Sequence, residues 1–423
     1  MSGYCDPAVV NGGPRCPFCS NGMVKCMGDC VDTGTDPSNC GGCGVVCAQA
    51  SVSDPSFTCQ KGNCTPITDA SADVSGDGTE AGPDAGTPPS CAPGGPGMTN
   101  CGPGGSGTES CCTSLEVTGG AFFRTYDEVF DDAGSFLNFT VAPDGGPTGE
   151  ADPAAVSSFR LDKYDVTVGR FRQFVAAWNN GAGYLPPPAS GKHTHLNDGQ
   201  GLAAGPNGDM GQEEYESGWY SPDDFLVAPT DANLTMCSPF STWAPSAGSQ
   251  ESLPMSCVNW YEAYAFCIWD GGFLPSQAEW EYAAAGGSQQ REYPWGSTDP
   301  GTGSQYAIYG DGQIGNSDNN CYYPSLEPCL GVANIAPVGT PVLGAGLWGH
   351  LDLAGNVQQW ALDCYPNYGF LNPCTDCVSF ATCDARIVSG GRFDWGPSLL
   401  LVASLVGIAD RQVGTGFRCA RTP

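Results

Sequence analysis

Residues 274–284 read Leu274-Pro275-Ser276-Gln277-Ala278-Glu279-Trp280-Glu281-Tyr282-Ala283-Ala284. A serine followed three positions later by a glutamate forms a capping box, because each side chain accepts a hydrogen bond from the other residue's backbone N–H. Two glycines at 286 and 287 follow the run, and glycine adopts the left-handed conformation that ends many helices. The stretch therefore predicts a short helix with both ends defined.

A second helix is predicted just upstream by the same device. Asn259 stands where an N-cap belongs and Glu262 follows three positions later. Gly271 and Gly272 close the run. Together the two runs place a pair of capped helices between residues 259 and 287.

A strand followed by a third helix is predicted further toward the amino terminus. The segment 159–164 alternates apolar and polar residues in the manner of a strand. Thr167 occupies an N-cap position, and apolar side chains recur at i, i+3, i+4 and i+7, namely Phe171, Phe174, Val175 and Trp178. The chain between these elements is rich in Gly, Pro, Asn and Trp. This pattern predicts an α+β fold with little regular secondary structure and many long ordered loops.

The charge balance is strongly acidic. Lys and Arg total 15 against 45 Asp and Glu, which gives a formal net charge of −30. Such a surface repels phosphate backbones, so nucleic acid and anionic membranes are not expected partners. The longest apolar run, residues 399–409, is shorter than the roughly 20 residues that cross a bilayer. No transmembrane segment is therefore predicted.

Cysteine usage indicates the compartment. The chain has 24 cysteines but only three histidines, whereas zinc sites commonly combine imidazole with thiolate. Disulfide bonds formed in an oxidising compartment explain this ratio better. The sequence therefore predicts an extracytoplasmic or secreted protein, although residues 1–5 show no basic or apolar stretch typical of a signal peptide.

Composition divides the chain into three parts. Residues 1–65 hold ten cysteines and few apolar residues, which predicts a small cysteine-rich module stapled by disulfides. Zinc-knuckle spacing in Cys16–Cys19 and Cys40–Cys43 is the alternative for this module. Residues 66–97 are predicted to be a flexible acidic linker rich in Gly, Pro and Ser, with calcium binding by Asp73, Asp77 and Asp84 as the alternative. Residues 98–423 are predicted to form a globular domain.

Several motifs of this domain match one family in order. Besides residues 159–167 and the two capped helices, they are Tyr293-Pro294-Trp295-Gly296, Asp352-Leu353-Ala354-Gly355-Asn356-Val357-Gln358-Gln359-Trp360 and Gly416-Phe417-Arg418-Cys419-Ala420. From about residue 115 the chain resembles the formylglycine-generating enzyme, or sulfatase-modifying factor, family. The resemblance implies a C-type-lectin-like fold. For an active member it also implies copper-assisted, oxygen-dependent oxidation of a sulfatase cysteine to formylglycine.

The chain departs from the family pattern where the chemistry occurs. Active members carry two copper-binding cysteines between the Gly-Gly pair and the final Gly-Phe-Arg, and here Arg392 to Thr415 contains no cysteine. Aliphatic residues 399–406 fill the segment instead and are expected to form a dry, neutral wall. Phe273 replaces the usual Arg and Gln277 the usual Glu, and both changes remove charge. Copper is therefore not expected, and no catalytic residue is assigned.

The resemblance also implies two structural sites. Cys267 and Cys419 fall where the family has a disulfide that joins the long helix to the last strand. Asp352, Gly355, Val357 and Gln359 match the family's calcium loop, with a neutral Gln at the position of the usual Glu. The resemblance therefore implies a weakened structural calcium site, and a tight glycine turn without an ion is the alternative.

Two further groups are weaker metal candidates. His193 and His195 alternate as a metal pair on a strand would, but their Pro-rich and polar neighbourhood predicts an exposed loop. Asn316, Asp318, Asn319 and Asn320 resemble a cation loop, for which turn residues are the simpler interpretation.

Two functions follow from these observations. The first is a non-catalytic module that binds an unknown protein, peptide or glycan ligand, or serves a structural role. The second is an oxidoreductase of the same family that acts on protein or peptide through a different site. Loss of the metal-binding cysteines favours the first.

Overall fold

The computed structural model describes most of the chain from residue 87 onward and four short segments before it. The described residues are 24–26, 29–31, 57–60, 63–66, 87–91, 101–102, 109–125, 129–130, 136–137, 151–204, 214–312, 319–365, 370–372, 374–380 and 383–423. The chain divides into two compact units, Met1–Glu80 and Ala81–Pro423. No helix in the described ranges has the length and apolarity needed to span a bilayer.

The first unit contributes two antiparallel hairpins to the described residues. Strands β1 to β4 are Val24–Cys26, Asp29–Val31, Phe57–Gln60 and Asn63–Pro66, with β1 paired to β2 and β3 paired to β4. The predicted cysteine-rich module, its zinc-knuckle alternative and the acidic residues of the predicted linker otherwise lie outside the described residues.

The described residues of the second unit form four α-helices and many short strands. The helices α1 to α4 are Val168–Trp178, Asp231–Leu234, Trp260–Trp269 and Gln277–Ala285. The strands β5 to β21 are Ser114–Val117, Gly120–Thr125, Val129–Phe130, Phe136–Leu137, Ala151–Val156, Phe159–Asp162, Ala203–Ala204, Glu214–Tyr215, Asn320–Cys321, Glu327–Pro328, Gln358–Cys364, Cys374–Thr375, Cys377–Val378, Arg386–Ser389, Leu405–Ile408, Thr415–Gly416 and Ala420–Arg421. The predicted α+β class with little regular structure is confirmed.

The capping signals of the sequence are confirmed by the helix ends. The side chains of Thr167, Asn259 and Ser276 accept from the backbone N–H three residues on, and the last two complete capping boxes with Glu262 and Glu279. Helix α4 ends on Gly286 in the left-handed conformation, with φ 66°. Helices α1 and α3 pack through aromatic rings, since the ring centroid of Phe266 lies 5.7 Å from that of Phe171 and 5.8 Å from that of Phe174.

The largest sheet organises the carboxy-terminal half, in the order β19-β18-β15-β20. Its strand β15 is buried along its whole length, pairs antiparallel with β18 and runs parallel to β20. The chain from residue 390 to 404 therefore leaves the sheet after β18 and returns to it as β19. This excursion is the segment in which active family members carry their copper cysteines.

Ordered structure in the second unit includes residues that composition assigns to the linker. Residues 89–91, placed in the flexible linker by composition, form a 3-10 helix in which Ser90 and Cys91 are buried. Ser90 donates its N–H to Asp270, and Cys91 is bonded to Cys112. A disulfide and polar contacts therefore hold this segment, in which few apolar side chains are available for burial.

Candidate functional site

The segment 390–415 begins with a sharp turn. Gly390 and Gly391 follow β18 with φ of 92° and 66°, a conformation that side chains other than glycine rarely adopt. A Cβ on Gly391 would lie 2.7 Å from the carbonyl oxygen of Leu399. The two glycines therefore let the outgoing and returning chains lie against each other.

Arg392 ties the two ends of the segment together. Its guanidinium pairs with Asp394 at 2.6 Å, donates to the carbonyl of Val413 at 2.6 Å and lies 4.3 Å over the ring of Trp395. Phe393 and Trp395 are both buried. Their side chains therefore fill the interior of the domain.

The aliphatic part of the segment packs as an apolar wall. Leu400 and Val402 are buried, and Leu400 joins a cluster with Tyr293 and Ala354. Strand β19 then pairs antiparallel with β18 along its whole length and keeps its first residues half-buried. This arrangement presents hydrocarbon where a copper site needs soft, ionised ligands.

Cysteine thiols are absent from the described part of this domain. All fourteen cysteines from Cys91 to Cys419 are paired in seven disulfides: 91–112, 101–111, 237–257, 267–419, 321–329, 364–383 and 374–377. Cys267 and Cys419, assigned to each other by the resemblance, are bonded at 2.07 Å and join α3 to the chain just before β21. Copper(I) in proteins prefers thiolate and thioether ligands. The residues of segment 390–415 do not fit it.

The predicted calcium loop leads into β15. Gly355 has φ 79°, and a Cβ there would lie 2.4 Å from the carbonyl oxygen of Ile308, so a glycine is required. Val357 is buried. The carboxylate of Asp352 accepts from Gly339 N at 2.7 Å through Oδ2, whereas its Oδ1 is buried without a partner. Burial raises the pKa of Asp352 to about 6.

Gln359, the fourth predicted ligand, has its oxygen engaged. Its Oε1 accepts from Trp280 Nε1 and from Arg418 Nε, each at 2.7 Å, and its Nε2 donates to the carbonyl of Asp352 at 2.6 Å. A guanidinium at this distance repels a second cation. Asp165, whose Oδ2 is also buried without a partner, pairs with Arg418 at 3.0 Å. Oδ1 of Asp352 and Oδ2 of Asp165 are therefore both buried carboxylate oxygens without a partner, but Asp165 shares Arg418 with Gln359.

The weaker cation loop is used for turn contacts where it is described. Asn316 and Asp318 lie outside the described residues. Asn320 donates its backbone N–H and its side-chain amide to Asp311, and Asn319 donates to the carbonyl of Asp394.

The sequence around His193 predicts an exposed loop. This prediction is wrong, because His193 is fully buried. Its Nδ1 lies 3.0 Å from Glu216 and its Nε2 lies 3.0 Å from Glu279. Although burial opposes its charge, the two carboxylates outweigh it and raise the pKa of His193 to about 10. Phe273, which stands where the family has Arg, packs on the ring at 3.8 Å. The imidazolium thus restores a cation beside Glu279.

His195 differs in environment, so the two histidines do not form a metal pair. It is partly buried, stacks on Phe273 at 5.7 Å, and burial lowers its pKa. Among the described residues no group of three or more His, Cys, Asp or Glu side chains could hold a metal ion. No local signal in the sequence indicates the burial of His193, because its partners Glu216 and Glu279 lie 23 and 86 positions away.

The stability contributed by His193 should depend on pH. Its folded pKa of about 10 exceeds the ordinary value of 6.5, so the contribution is full below pH 6.5 and is lost as the pH rises toward 10. We expect His193→Gln to lower the melting temperature most at pH 6 and progressively less up to pH 10. His195→Gln, whose wild-type pKa shift has the opposite sign, is the control. A His193→Gln deficit that stays constant with pH would contradict the ion-pair assignment.

Comparisons with known proteins agree with the motifs. Residues 107–423 match the family described as sulfatase-modifying factor enzyme 1-like domain. Formylglycine-generating enzyme from Bos taurus is 29% identical over 68% of this chain and 72% of its own length. The inactive C-alpha-formylglycine-generating enzyme 2 from Mus musculus is 28% identical over 56% of this chain and 68% of its own. The structure of PvdO from Pseudomonas aeruginosa aligns at 18% identity with a TM-score of 0.41, over 73% of this chain and 94% of its own. The chain therefore belongs to the sulfatase-modifying factor family and has its C-type-lectin-like α+β fold, as the sequence motifs predict.

Proposed function

We propose that this protein has lost formylglycine-generating activity and serves as a binding or structural module. The observation that carries the proposal is the absence of thiols from segment 390–415. Every cysteine from Cys91 onward is in a disulfide, so none can be supplied from elsewhere in the described domain. A relative named as inactive supports the proposal, since it shows that sequences as similar as this one include members without the activity.

The ligand of such a module would be a protein, a peptide or a glycan. Large apolar side chains stand exposed on the described surface and offer contacts of the kind that binding sites use, namely Tyr220, Phe225, Met236, Leu326 and Leu330. The net charge of −30 disfavours polyanions. We therefore propose a neutral or basic ligand.

A Cu(I) titration tests the loss of the metal site. We expect the protein not to withdraw Cu(I) from a coloured chelator in the presence of ascorbate, without added thiols. Alkylation under native, non-reducing conditions first blocks any free thiol of residues 1–65. Tight binding of one Cu(I) per chain after that treatment would refute the proposal, because it would require a soft-ligand site within the folded domain.

We also propose that the protein works outside the cytoplasm, in a secreted or otherwise extracytoplasmic setting. Seven disulfides between Cys91 and Cys419 support this, because thiols stay reduced in most cytosolic proteins. Recovery of these cysteines as free thiols from native protein would contradict it.

For the calcium loop, we propose weak structural binding through Asp352 with the carbonyls of Gly355 and Val357, rather than through Gln359, whose oxygen accepts from Arg418 and Trp280. The carboxylate of Asp352 has a buried oxygen without a partner, which a cation would satisfy. Millimolar calcium is then expected to raise the melting temperature by ordinary linkage.

The Asp352→Ala variant should abolish the calcium shift. Asp410→Ala, which removes an exposed carboxylate, is the matched control and should keep it. A wild-type melting curve that calcium does not change would leave only the packed glycine turn.

A further inference from the structure

The Cys374–Cys377 disulfide closes a very short loop. Its cysteines are three positions apart in the sequence Cys-Thr-Asp-Cys, whereas Cys267 and Cys419 are 152 apart. A disulfide stabilises a fold largely by restricting the unfolded chain, and this contribution grows with the logarithm of the loop length. Opening the short loop therefore removes little stability, so the domain should stay folded when this bond alone is reduced.

Backbone hydrogen bonds hold both cysteines independently of the bond between them. Cys374 lies in β16, which runs parallel to β9, and Cys377 lies in β17, which runs parallel to β11. Between them Asp376 donates its N–H to Ala155 at 2.9 Å and accepts from Ala203 N at 2.8 Å. The two sulfur atoms therefore remain neighbours after reduction, and the disulfide can form again on oxidation.

A small recess, partly open to solvent, borders this bond on the side of Cys377. Its lining includes Arg124, Asp363, Cys364, Phe370, Cys377 and Ser379. Cys377 itself is 5% exposed and Cys374 is 2% exposed.

Arg124, which lines the same recess as Cys377, is a fixed cation. Arg124 is 3% exposed, donates to the carbonyl oxygens of Asp152 and Leu371, and lies 4.5 Å over the ring of Phe370. A neighbouring guanidinium favours the thiolate form of a cysteine, which is the reactive form. The reduced state of Cys377 would therefore be stabilised as an anion.

The recess also contains a proton acceptor. The two oxygens of Asp363 accept from the backbone N–H groups of Gln277 and Ser379, at 2.7 and 2.8 Å. Burial raises the pKa of Asp363 to about 6, so its carboxylate can take up a proton near neutral pH. An attacking thiol could lose its proton at this position.

We propose that Cys374 and Cys377 form a thiol–disulfide exchange centre for low-molecular-weight dithiols. A dithiol thiolate attacks Sγ of Cys377, the bond to Cys374 breaks, and its electron pair leaves on Sγ of Cys374. The second thiol of the dithiol loses its proton and attacks its own partner's sulfur in the mixed disulfide, which releases Cys377 as a thiolate beside Arg124. Two electrons pass to the protein, and the two protons lost by the dithiol are available to the two cysteines.

Partial reduction tests this centre in the full chain. The protein is equilibrated with defined mixtures of reduced and oxidised dithiothreitol, alkylated and mapped by mass spectrometry. We expect Cys374 and Cys377 to be the first cysteines labelled from Cys91 onward, with unchanged near-ultraviolet circular dichroism and recovery of the bond under oxidising mixtures. Cys364–Cys383, whose Cys364 lines the same recess, is the internal control and should stay closed in those mixtures.

A variant tests the role of the cation. Arg124→Gln should lower the reduced-to-oxidised ratio of the pair about tenfold, which corresponds to a shift of one pKa unit. Arg172→Gln, a partly exposed arginine that does not line the recess, should leave that ratio unchanged.

The labelling order in the unaltered protein decides the proposal even if Arg124→Gln fails to fold. Opening of another disulfide first, or reduction only after loss of near-ultraviolet circular dichroism, would overturn it. Neither result tests the proposed loss of copper binding and of formylglycine-generating activity, because the exchange needs no metal and no sulfatase peptide.

Discussion

A sulfatase-type peptide with a cysteine in its modification motif should remain unconverted when incubated with the protein, added copper and a reductant in air. In active members of the family, the resemblance implies a copper ion held by two thiolates for this conversion. Segment 390–415 offers a buried Phe393, an Arg392–Asp394 ion pair and an aliphatic wall at this place. Aldehyde capture and the mass of the peptide should equal those of a control without enzyme.

Controls make this result interpretable. A formylglycine-generating enzyme run in parallel shows that the peptide and the copper are competent. The double variant Cys374→Ser/Cys377→Ser shows whether any trace of oxidation comes from the proposed exchange centre. Conversion above background that disappears on unfolding and survives in the double variant would overturn the proposed function, and it would mean that residues distant in sequence build a metal site.

The capped helices were predictable because their signals are local. Ser276 and Glu279 lie within one turn of each other, so the hydrogen bonds that begin α4 are encoded in four consecutive residues. The same holds for Thr167 at the start of α1. The order of such motifs along the chain was sufficient to identify the family and, with it, the fold.

The buried charges were not predictable because their partners are distant. His193 lies 86 positions from Glu279, and nothing within its own Pro-rich and polar neighbourhood indicates burial. Gln359 matched a calcium ligand by position, but its oxygen is used by Trp280 and Arg418, which lie elsewhere in the chain. Sequence patterns report local geometry, whereas the pairing of buried polar groups is set by tertiary packing.

Arg170 is a buried charge whose ion pairs are expected to contribute strongly to the stability of the domain. It is fully buried on α1 and bonds Asp162 at 2.8 Å and Asp270 at 2.7 Å, and its Nε donates to Ser90 at 3.0 Å. Arg421 contacts the same two carboxylates from β21. One guanidinium thus joins α1 to β10, to the residue that caps the end of α3 and to the lead-in segment.

Replacing Arg170 by Met should destabilise the domain by about 3–5 kcal/mol, the scale for breaking a buried ion pair by removing one partner. The aliphatic chain preserves most of the volume, so the loss reflects two buried carboxylates left with Arg421 alone. Arg172→Met, on the same helix, is the matched control. Its ion pair with Glu251 is partly exposed, and the substitution should therefore cost less than Arg170→Met. Chemical denaturation under non-reducing conditions measures both. Equal losses for the two variants would show that the buried network adds nothing beyond a partly exposed ion pair.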